Sequence, residues 1–332
     1  MKKTDVLVTG GAGYIGSHTL VELHNSGYRP IIVDNLSNTS LENIKGAEKI
    51  IKNKITFYEF DCTDENQMNE LFELENNILA VIHFAAFKAV EESVREPKKY
   101  YDNNIGSLEV LLKTMKRYKV NNIIFSSSCT VYGSPDVLPV SELAPFKRAE
   151  SPYGETKQLC EKLIDKSDIN SISLRYFNPV GSHESCLIGD CSADKPNNLV
   201  PIICEVASGK RDSMQIFGND YNTIDGTCVR DYIHVVDLAK AHVAALNHIL
   251  NKKEIKTAYN IGVGKGVSVQ EVVASFEKIN DIKISYNIGP RRDGDVEEIY
   301  SNNTKINTEL NWFPVMSFES ALKTAWTWER NK

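Results

Sequence analysis

The sequence predicts an α/β protein, a doubly wound parallel sheet with helices on both faces followed by a smaller mixed α/β unit. Three observations carry this. Short apolar runs alternate with helical patterns from Asp5 to Tyr176, a glycine-rich turn joins the first run to the first helix, and the texture becomes irregular from Asn178 onward. Strands and helices alternating at this spacing build parallel sheets covered on both faces. At 332 residues, with 42% hydrophobic and 25% charged side chains, the chain has ample material for a core. A net charge of -6 offers no basic footprint for nucleic acid. No apolar run is long enough for a membrane span, so no membrane association is expected. The cysteines are scattered, odd in number and without paired metal spacing. Met-Lys-Lys runs straight into the first strand with no signal-peptide pattern, which reads as a cytoplasmic protein.

Asp5–Thr9 is the first strand, and it ends in Gly10-Gly11-Ala12-Gly13-Tyr14-Ile15-Gly16. A helical pattern follows to Gly27, and Pro30–Val33 is a second strand closed by Asp34. This is strand, glycine turn, helix, strand and acid in the order of a dinucleotide-binding Rossmann unit. Gly10, Gly13 and Gly16 let the backbone turn tightly and approach a pyrophosphate, whose charge rests on the helix N-terminus. Asp34 lies where a carboxylate bonds an adenosine ribose. Asn35 follows it rather than an arginine, so NAD is favoured over NADP, because a carboxylate repels a 2′-phosphate.

Ile55–Phe60 reads as the third strand, closed by Asp61 and Cys62; Asp61 either faces the adenine or caps the following helix. Asn66–Leu74 is helical, and Leu79–Phe84 is a fully apolar strand. It runs into Ala85-Ala86-Phe87-Lys88, small residues where a cofactor crosses the carboxyl edge of the sheet, with Lys88 a cofactor or substrate contact. Tyr100–Tyr118 reads as one long helix carrying Asn103 and Asn104, Asn122–Ser126 as the fifth strand, and Ile172–Tyr176 as the last of the series. Ligands in such sheets bind beyond the carboxyl ends of the strands, where all these residues fall.

Between the last two strands lies Ser151-Pro152-Tyr153-Gly154-Glu155-Thr156-Lys157. Pro152 suits a first helical position, so Tyr153 and Lys157 become i and i+4 on one face. A phenol ionises near pH ~10, and a neighbouring ammonium lowers that value. A drop of ~3 units needs roughly 4 kcal/mol, more than one lysine supplies, so a second positive charge such as an oxidised nicotinamide is expected close by.

From Asn178 the pattern loosens. Gly181–Asn198 and Asn219–Thr227 read as long polar loops, the first expected to touch ligand. Val200–Ser208 is a helix, Met214–Phe217 a strand, and Val236–Leu250 an alanine-rich helix suited to close packing on a sheet. Arg230, Arg291 and Arg292 are candidates for a substrate diphosphate, because guanidinium forks match phosphate oxygens.

Taken together, TGGAGYIGSHT from Thr9, VDNLSN from Val33, YYDNN from Tyr100, FSSSCTVYG from Phe125, SPYGETK, RYFNPVG from Arg175, IFGNDY from Ile216, VRDYIH from Val229 and PRRDGD from Pro290 span nearly the whole chain. With these motifs the chain resembles the extended short-chain dehydrogenase/reductase family and, within it, the UDP-glucose 4-epimerases. The resemblance implies residues 1–178 as an NAD-binding domain, with a return segment near 229–250, and residues 179–332 as a UDP-sugar-binding domain. It implies Tyr153 as base, Lys157 as ribose ligand and tuner of the tyrosine, and Ser128 on the reacting hydroxyl. NAD would be lined by the glycine turn with Tyr14 and Ile15, by Asp34, Asn35, Asp61 and Cys62, by Phe84, Ala85, Ala86 and Lys88, and by Asn103, Ser128, Tyr153, Lys157 and Phe177. The UDP-sugar would meet Lys88, Ser128, Thr130, Tyr153, Asn178, Asn198, Leu199, Ile216, Phe217, Arg230, Arg292, Asp295 and Ile299. The implied activity is reversible C4 epimerisation of UDP-galactose and UDP-glucose through a 4-keto sugar, by a homodimer with tightly bound NAD.

The sequence departs from that pattern at two places. Cys129 replaces a more usual alanine. Ile299 is intermediate between the large aromatic that excludes N-acetylated sugars and the small residue that admits them. Three rival readings are weighed on residues. Dehydratase relatives carry an Asp-Glu pair after the position of Thr130, where this chain has Val131-Tyr132. A decarboxylase needs positive charge for a C6 carboxylate. A non-catalytic NAD sensor on this fold can lose the tyrosine–lysine pair, which is present here.

Overall fold

The computed structural model describes residues 4–191, 196–292 and 294–332. Met1–Lys3, residues 192–195 of the first expected loop, and Asp293 lie outside the described residues. The first half runs β1 (Thr4–Thr9), α1 (Tyr14–Asn25), β2 (Tyr28–Val33), α2 (Glu42–Ile51), β3 (Thr56–Tyr58), α3 (Glu65–Leu74) and β4 (Ile78–His83). It continues with α4 (Val90–Arg95), α5 (Pro97–Tyr100), α6 (Gly106–Arg117), β5 (Asn122–Ser128), α7 (Pro152–Lys166) and β6 (Asn170–Tyr176). The second half contains β7 (Asn178–Val180), α8 (Leu199–Ala207), β8 (Met214–Phe217), β9 (Val229–His234), α9 (Val235–Leu250) and β10 (Lys256–Ile261). β11 (Gly266–Ser268), α10 (Val269–Asn280), β12 (Tyr286–Gly289), β13 (Glu298–Ile299), α11 (Thr304–Leu310) and α12 (Phe318–Asn331) complete it.

The main sheet has seven strands in the order β10-β6-β5-β4-β1-β2-β3, and every pairing is parallel. The chain leaves β1 in one direction and returns to its other side at β4. That reversal opens the crevice in which doubly wound sheets bind ligands. One apolar layer packs α1 and α9 on one face, with Leu20, Leu23, Leu238, Ala241 and Ala245 fully buried. The other packs α3, α6 and α7 through Met68, Leu71, Leu111, Met115 and Ile164.

The sheet's seventh strand differs from the sequence reading, which ended the series at Tyr176. β10 pairs with β6 from Lys256↔Ser171 to Ile261↔Tyr176, so the return to the first half takes in α9, within the expected 229–250, and extends beyond it to β10. β9 itself belongs to a separate sheet, where it pairs with β7, β11 and β13. A second difference is the expected single helix over 100–118. It is broken by one wide π turn at Tyr101–Ile105, which holds Asn103 and Asn104. Such turns recur at functional sites. Here the turn lets Asn104 reach sideways: its Oδ1 accepts from Phe87 N at 2.8 Å, and its Nδ2 donates to Phe87 O at 3.0 Å and Thr156 Oγ1 at 3.2 Å. One buried amide thereby ties the loop after β4 to α7.

Candidate active site

A cleft opens where β1 and β4 diverge at their carboxyl ends. Its floor is the glycine turn. Gly10 has φ +68°, and a Cβ there would lie 2.7 Å from Ala85 N, so only glycine permits this turn. At Gly16 a Cβ would lie 2.5 Å from Gly10 O and 2.8 Å from Gly11 Cα. Gly16→Ala is therefore expected to push α1 off the turn, and the NAD released by acid per purified subunit, read by absorbance, should fall at least tenfold. Gly13 precedes α1 as its N-cap and has no side chain to cap it, which leaves the first N–H groups of the helix free for an anion. Asp34 is held by Ala12 N at 3.1 Å and Leu36 N at 3.0 Å; burial raises its pKa, and these bonds oppose the rise. A fixed carboxylate at this end, a bare helix terminus in the middle and a Tyr-Lys pair at the far end fit a dinucleotide without a 2′-phosphate.

Of the cofactor residues expected from the sequence, all line this cleft except Ser128 and Phe177. Phe177 is buried with Cys129, Val131, Tyr132, Val140 and Ile299, and its N–H donates to Ile261 O at 3.2 Å. Its ring faces away because strand alternation turns Tyr176, not Phe177, toward the cleft. Asp61 does not cap the next helix. Asp64 does, by accepting from Asn66 N and Gln67 N, while Asp61 accepts from Thr63 and from Asn35 Nδ2 at 2.9 Å. Ser37, Asn38, Thr39, Phe60, Phe87, Ser107, Ser126 and Tyr176 also line the cleft and were not singled out. Their nearness to the glycine turn or to the ends of β3–β6 was the available signal. The described part of the 181–198 loop does not line it and packs on α1 and α2 instead, with Tyr14 Oη donating to Gly181 O at 2.5 Å.

At the cleft's inner end, α7 starts as expected. Ser151 caps it by accepting from Gly154 N at 3.2 Å, and Pro152 takes the first helical position. Tyr153, Lys157 and Glu161 stand at i, i+4 and i+8, so the helix turns one face to the sheet. Lys157 Nζ donates to Ser126 O at 2.7 Å and sits 5.8 Å from the centre of the Tyr153 ring. Burial raises the Tyr153 phenol to about 12, with the Ser128 hydroxyl opposing, and lowers Lys157 to about 8. The polypeptide by itself therefore keeps the phenol protonated. Ser128 Oγ accepts from Thr130 N at 3.2 Å, and Thr130 Oγ1 is buried without a partner.

A second cluster forms in the later half of the chain. Arg292 bonds Asp295 at 2.7 and 3.1 Å and lies 5.2 Å from the centre of the Phe217 ring, and Arg230 approaches Asp295 at 3.7 Å. Phe217 is 36% exposed and offers a flat face. Three expected residues sit differently. Ile216 is fully buried, because along β8 it alternates with Phe217. Ile299 is likewise buried, among Phe177 and Cys129. Arg291 turns outward, bonded to Asp220 at 2.9 Å and stacked 4.1 Å from the centre of the Tyr221 ring. Asn178 is half-buried at the start of β7, and Asn198 and Leu199 stand exposed and half-buried at the start of α8.

The pattern of the GDP-mannose 4,6 dehydratase family matches residues 7–325. The UDP-glucose 4-epimerase of Dictyostelium discoideum is 48% identical over 329 residues, which cover 98% of this chain and 95% of that one. That of Bacillus subtilis is 46% identical, with 98% and 96% covered. The crystal structure of the Bifidobacterium longum UDP-glucose 4-epimerase in complex with NAD+ and UDP superposes with a TM-score of 0.95 at 44% identity, covering 99% of each chain. The chain belongs to the UDP-glucose 4-epimerase family. Val131 and Tyr132, the positions at which the sequence reading looked for an Asp-Glu pair, are both fully buried, and the Tyr132 hydroxyl is engaged by Arg175 and Asn260.

Proposed function

We propose that this protein interconverts UDP-galactose and UDP-glucose at C4 of the sugar with NAD as its cofactor. The observation that carries the reading is the pairing of half-buried Tyr153 with buried Lys157 at the inner end of a dinucleotide-shaped cleft. Tyr153 acts as the base for the C4 hydroxyl and Ser128 holds that hydroxyl in line. Bringing a phenol from about 12 to near 7 needs roughly 7 kcal/mol of differential stabilisation. Lys157, about 6 Å away, supplies roughly 3 kcal/mol at an effective dielectric of 20. When bound, the oxidised nicotinamide adds the second positive charge and serves as the transient hydride acceptor. Lys157, held by Ser126 O, is fixed before the substrate arrives, so no ordering is needed at the moment of reaction.

The 4-keto sugar has to present its other face, so the nucleotide must be anchored while the sugar is loosely held. Phe217 offers a face for uracil, and Arg230 and Arg292 the charge for the diphosphate. Asp295 holds both arginines in place in the free protein. Arg292→Leu is expected to raise KM for UDP-galactose about 10- to 100-fold with little change in kcat, the pattern of lost uniform binding. Arg291→Leu, which loses only a surface pair, should leave KM within about twofold. Residues 1–178 together with α9 and β10 build the NAD side, and the remainder builds the UDP-sugar side.

The direct test mixes purified protein with UDP-galactose and no added NAD, and follows the anomeric proton signals by NMR. UDP-glucose should accumulate to a fixed ratio; no conversion, even with NAD supplied, would discard the substrate. All seven cysteines are free thiols, which supports a cytoplasmic enzyme. The family resemblance supports a homodimer, which light scattering of the purified protein checks.

A further inference from the structure

Behind the reacting end of the cleft lies a buried pair that the mechanism above does not use. Tyr176 ends β6, lies opposite Ser128 in the β5–β6 register and lines the cleft together with Ser126, Tyr153 and Lys157. Its hydroxyl is bonded to His242 Nε2. His242 sits on α9, in the returning part of the chain, and is fully buried. The other ring nitrogen, Nδ1, is 2.9 Å from Leu238 O. A carbonyl oxygen only accepts, so Nδ1 carries a proton. Burial lowers the imidazole to about 4, so at neutral pH it holds one proton, and Nε2 is a bare acceptor. The only proton of the Tyr176 hydroxyl therefore points back toward His242. Its oxygen also accepts from the Ser126 hydroxyl and lies near Tyr153, on the wall of the cleft that Tyr176 lines. Phe84, which also lines the cleft, packs its ring 4.7 Å from that of His242 and holds it in place.

We propose that His242 is a positioning residue that locks the Tyr176 phenol oxygen as a hydrogen-bond acceptor for a donor at the nicotinamide end of the bound dinucleotide. A free tyrosine hydroxyl donates or accepts by rotating. With the histidine behind it, it only accepts, so it discriminates for an N–H or O–H donor. Two groups at that end of NAD qualify, the carboxamide NH2 and the ribose hydroxyls. The inference rests on the NAD reading of the cleft and not on the identity of the sugar.

The test compares the wild type with Tyr176→Phe, His242→Leu and His242→Gln, the last keeping an acceptor oxygen for Tyr176 and a donor for Leu238 O. Two quantities are measured: NAD retained per purified subunit, and the concentration of added NAD or 3-acetylpyridine adenine dinucleotide that half-saturates turnover of UDP-galactose. Tyr176→Phe and His242→Leu should require about five- to tenfold more NAD, the loss expected for one neutral hydrogen bond. His242→Gln should stay near wild type. If the 3-acetylpyridine analogue, which lacks the amide NH2, is unaffected by Tyr176→Phe, the carboxamide is the donor; if it is weakened equally, a ribose hydroxyl is. A folded Tyr176→Phe that retains and uses NAD like the wild type overturns the proposal, as would a role in packing alone, which would lower melting temperature and leave NAD affinity unmoved.

Nitrogen-15 NMR of histidine-labelled wild type needs no variant. It should find His242 with its proton on Nδ1, and a proton on Nε2 overturns the proposal. Failure of UDP-galactose to react would sink the proposed substrate but leave the retained-NAD comparison and the NMR result standing as tests of this inference.

Discussion

Tyr153→Phe should lower kcat for UDP-galactose by about 10³-fold while the protein keeps its fold, its bound NAD and its UDP affinity. The change removes one oxygen and leaves the ring. Its effect on α7 is small, because the helix is capped by Ser151 and held through Lys157 and Glu161. The effect on chemistry is large if, as proposed, this hydroxyl takes the C4 proton, since general-base catalysis contributes about 10²- to 10⁴-fold. Stopped-flow absorbance at 340 nm should show no reduced nicotinamide on mixing with substrate. Near-wild-type turnover in a folded variant would dismiss Tyr153 as the base. Lys157→Met supplies a companion measurement with a defined sign. Removing a positive charge raises the phenol's pKa, and the base works only when deprotonated. The rising limb of kcat against pH should therefore move to higher pH, by roughly two units if the lysine contributes about 3 kcal/mol.

The second large effect is on stability. Glu161→Ala should cost about 3–5 kcal/mol, read as a lowered urea midpoint. Glu161 and Arg175 are 6% and 8% exposed and joined by two bonds, Nε to Oε1 at 3.0 Å and NH2 to Oε2 at 2.7 Å. Arg175 also donates to Tyr132 Oη at 2.9 Å, and Tyr132 donates on to Asn260 Oδ1 at 2.6 Å. Ser127 Oγ completes the set on Glu161. The network therefore ties α7 to β5, β6 and β10. Removing the carboxylate leaves a guanidinium in the interior with its main partner gone, which costs far more than the pair itself contributes. Glu161→Leu combined with Arg175→Met should recover at least half of the loss, because no buried charge remains unpaired. Since Glu161 stands two turns beyond Tyr153 on the same face, Glu161→Ala should also lower kcat. If the single variant is as stable as wild type, the network is not what clamps α7.

What could be read from the chain alone was what depends on neighbours in sequence. The turn at Gly10–Gly16 demands glycine, Asp34 follows β2 directly, and Ser151-Pro152 starts a helix that must put Tyr153 and Lys157 on one face. Each is settled within a few residues by backbone sterics and helical period, so the glycine turn and the Tyr153–Lys157 pair were legible together. Other features needed the tertiary structure. β10 joins the main sheet because its backbone groups find β6, some eighty residues earlier in the chain, and no local pattern encodes that pairing. Tyr176 faces the cleft while Phe177 and Ile216 face the core, since a shift of one residue along a strand reverses the side presented. Arg292 meets Phe217 and Asp295 while its neighbour Arg291 is drawn off by Asp220 and Tyr221. The sequence by itself determined the chemistry available, through local rules of turn, cap and period. Which side chains meet across the crevice, and that His242 stands behind Tyr176, was decided only when distant segments packed, because burial and charge pairing act through space and not along the chain.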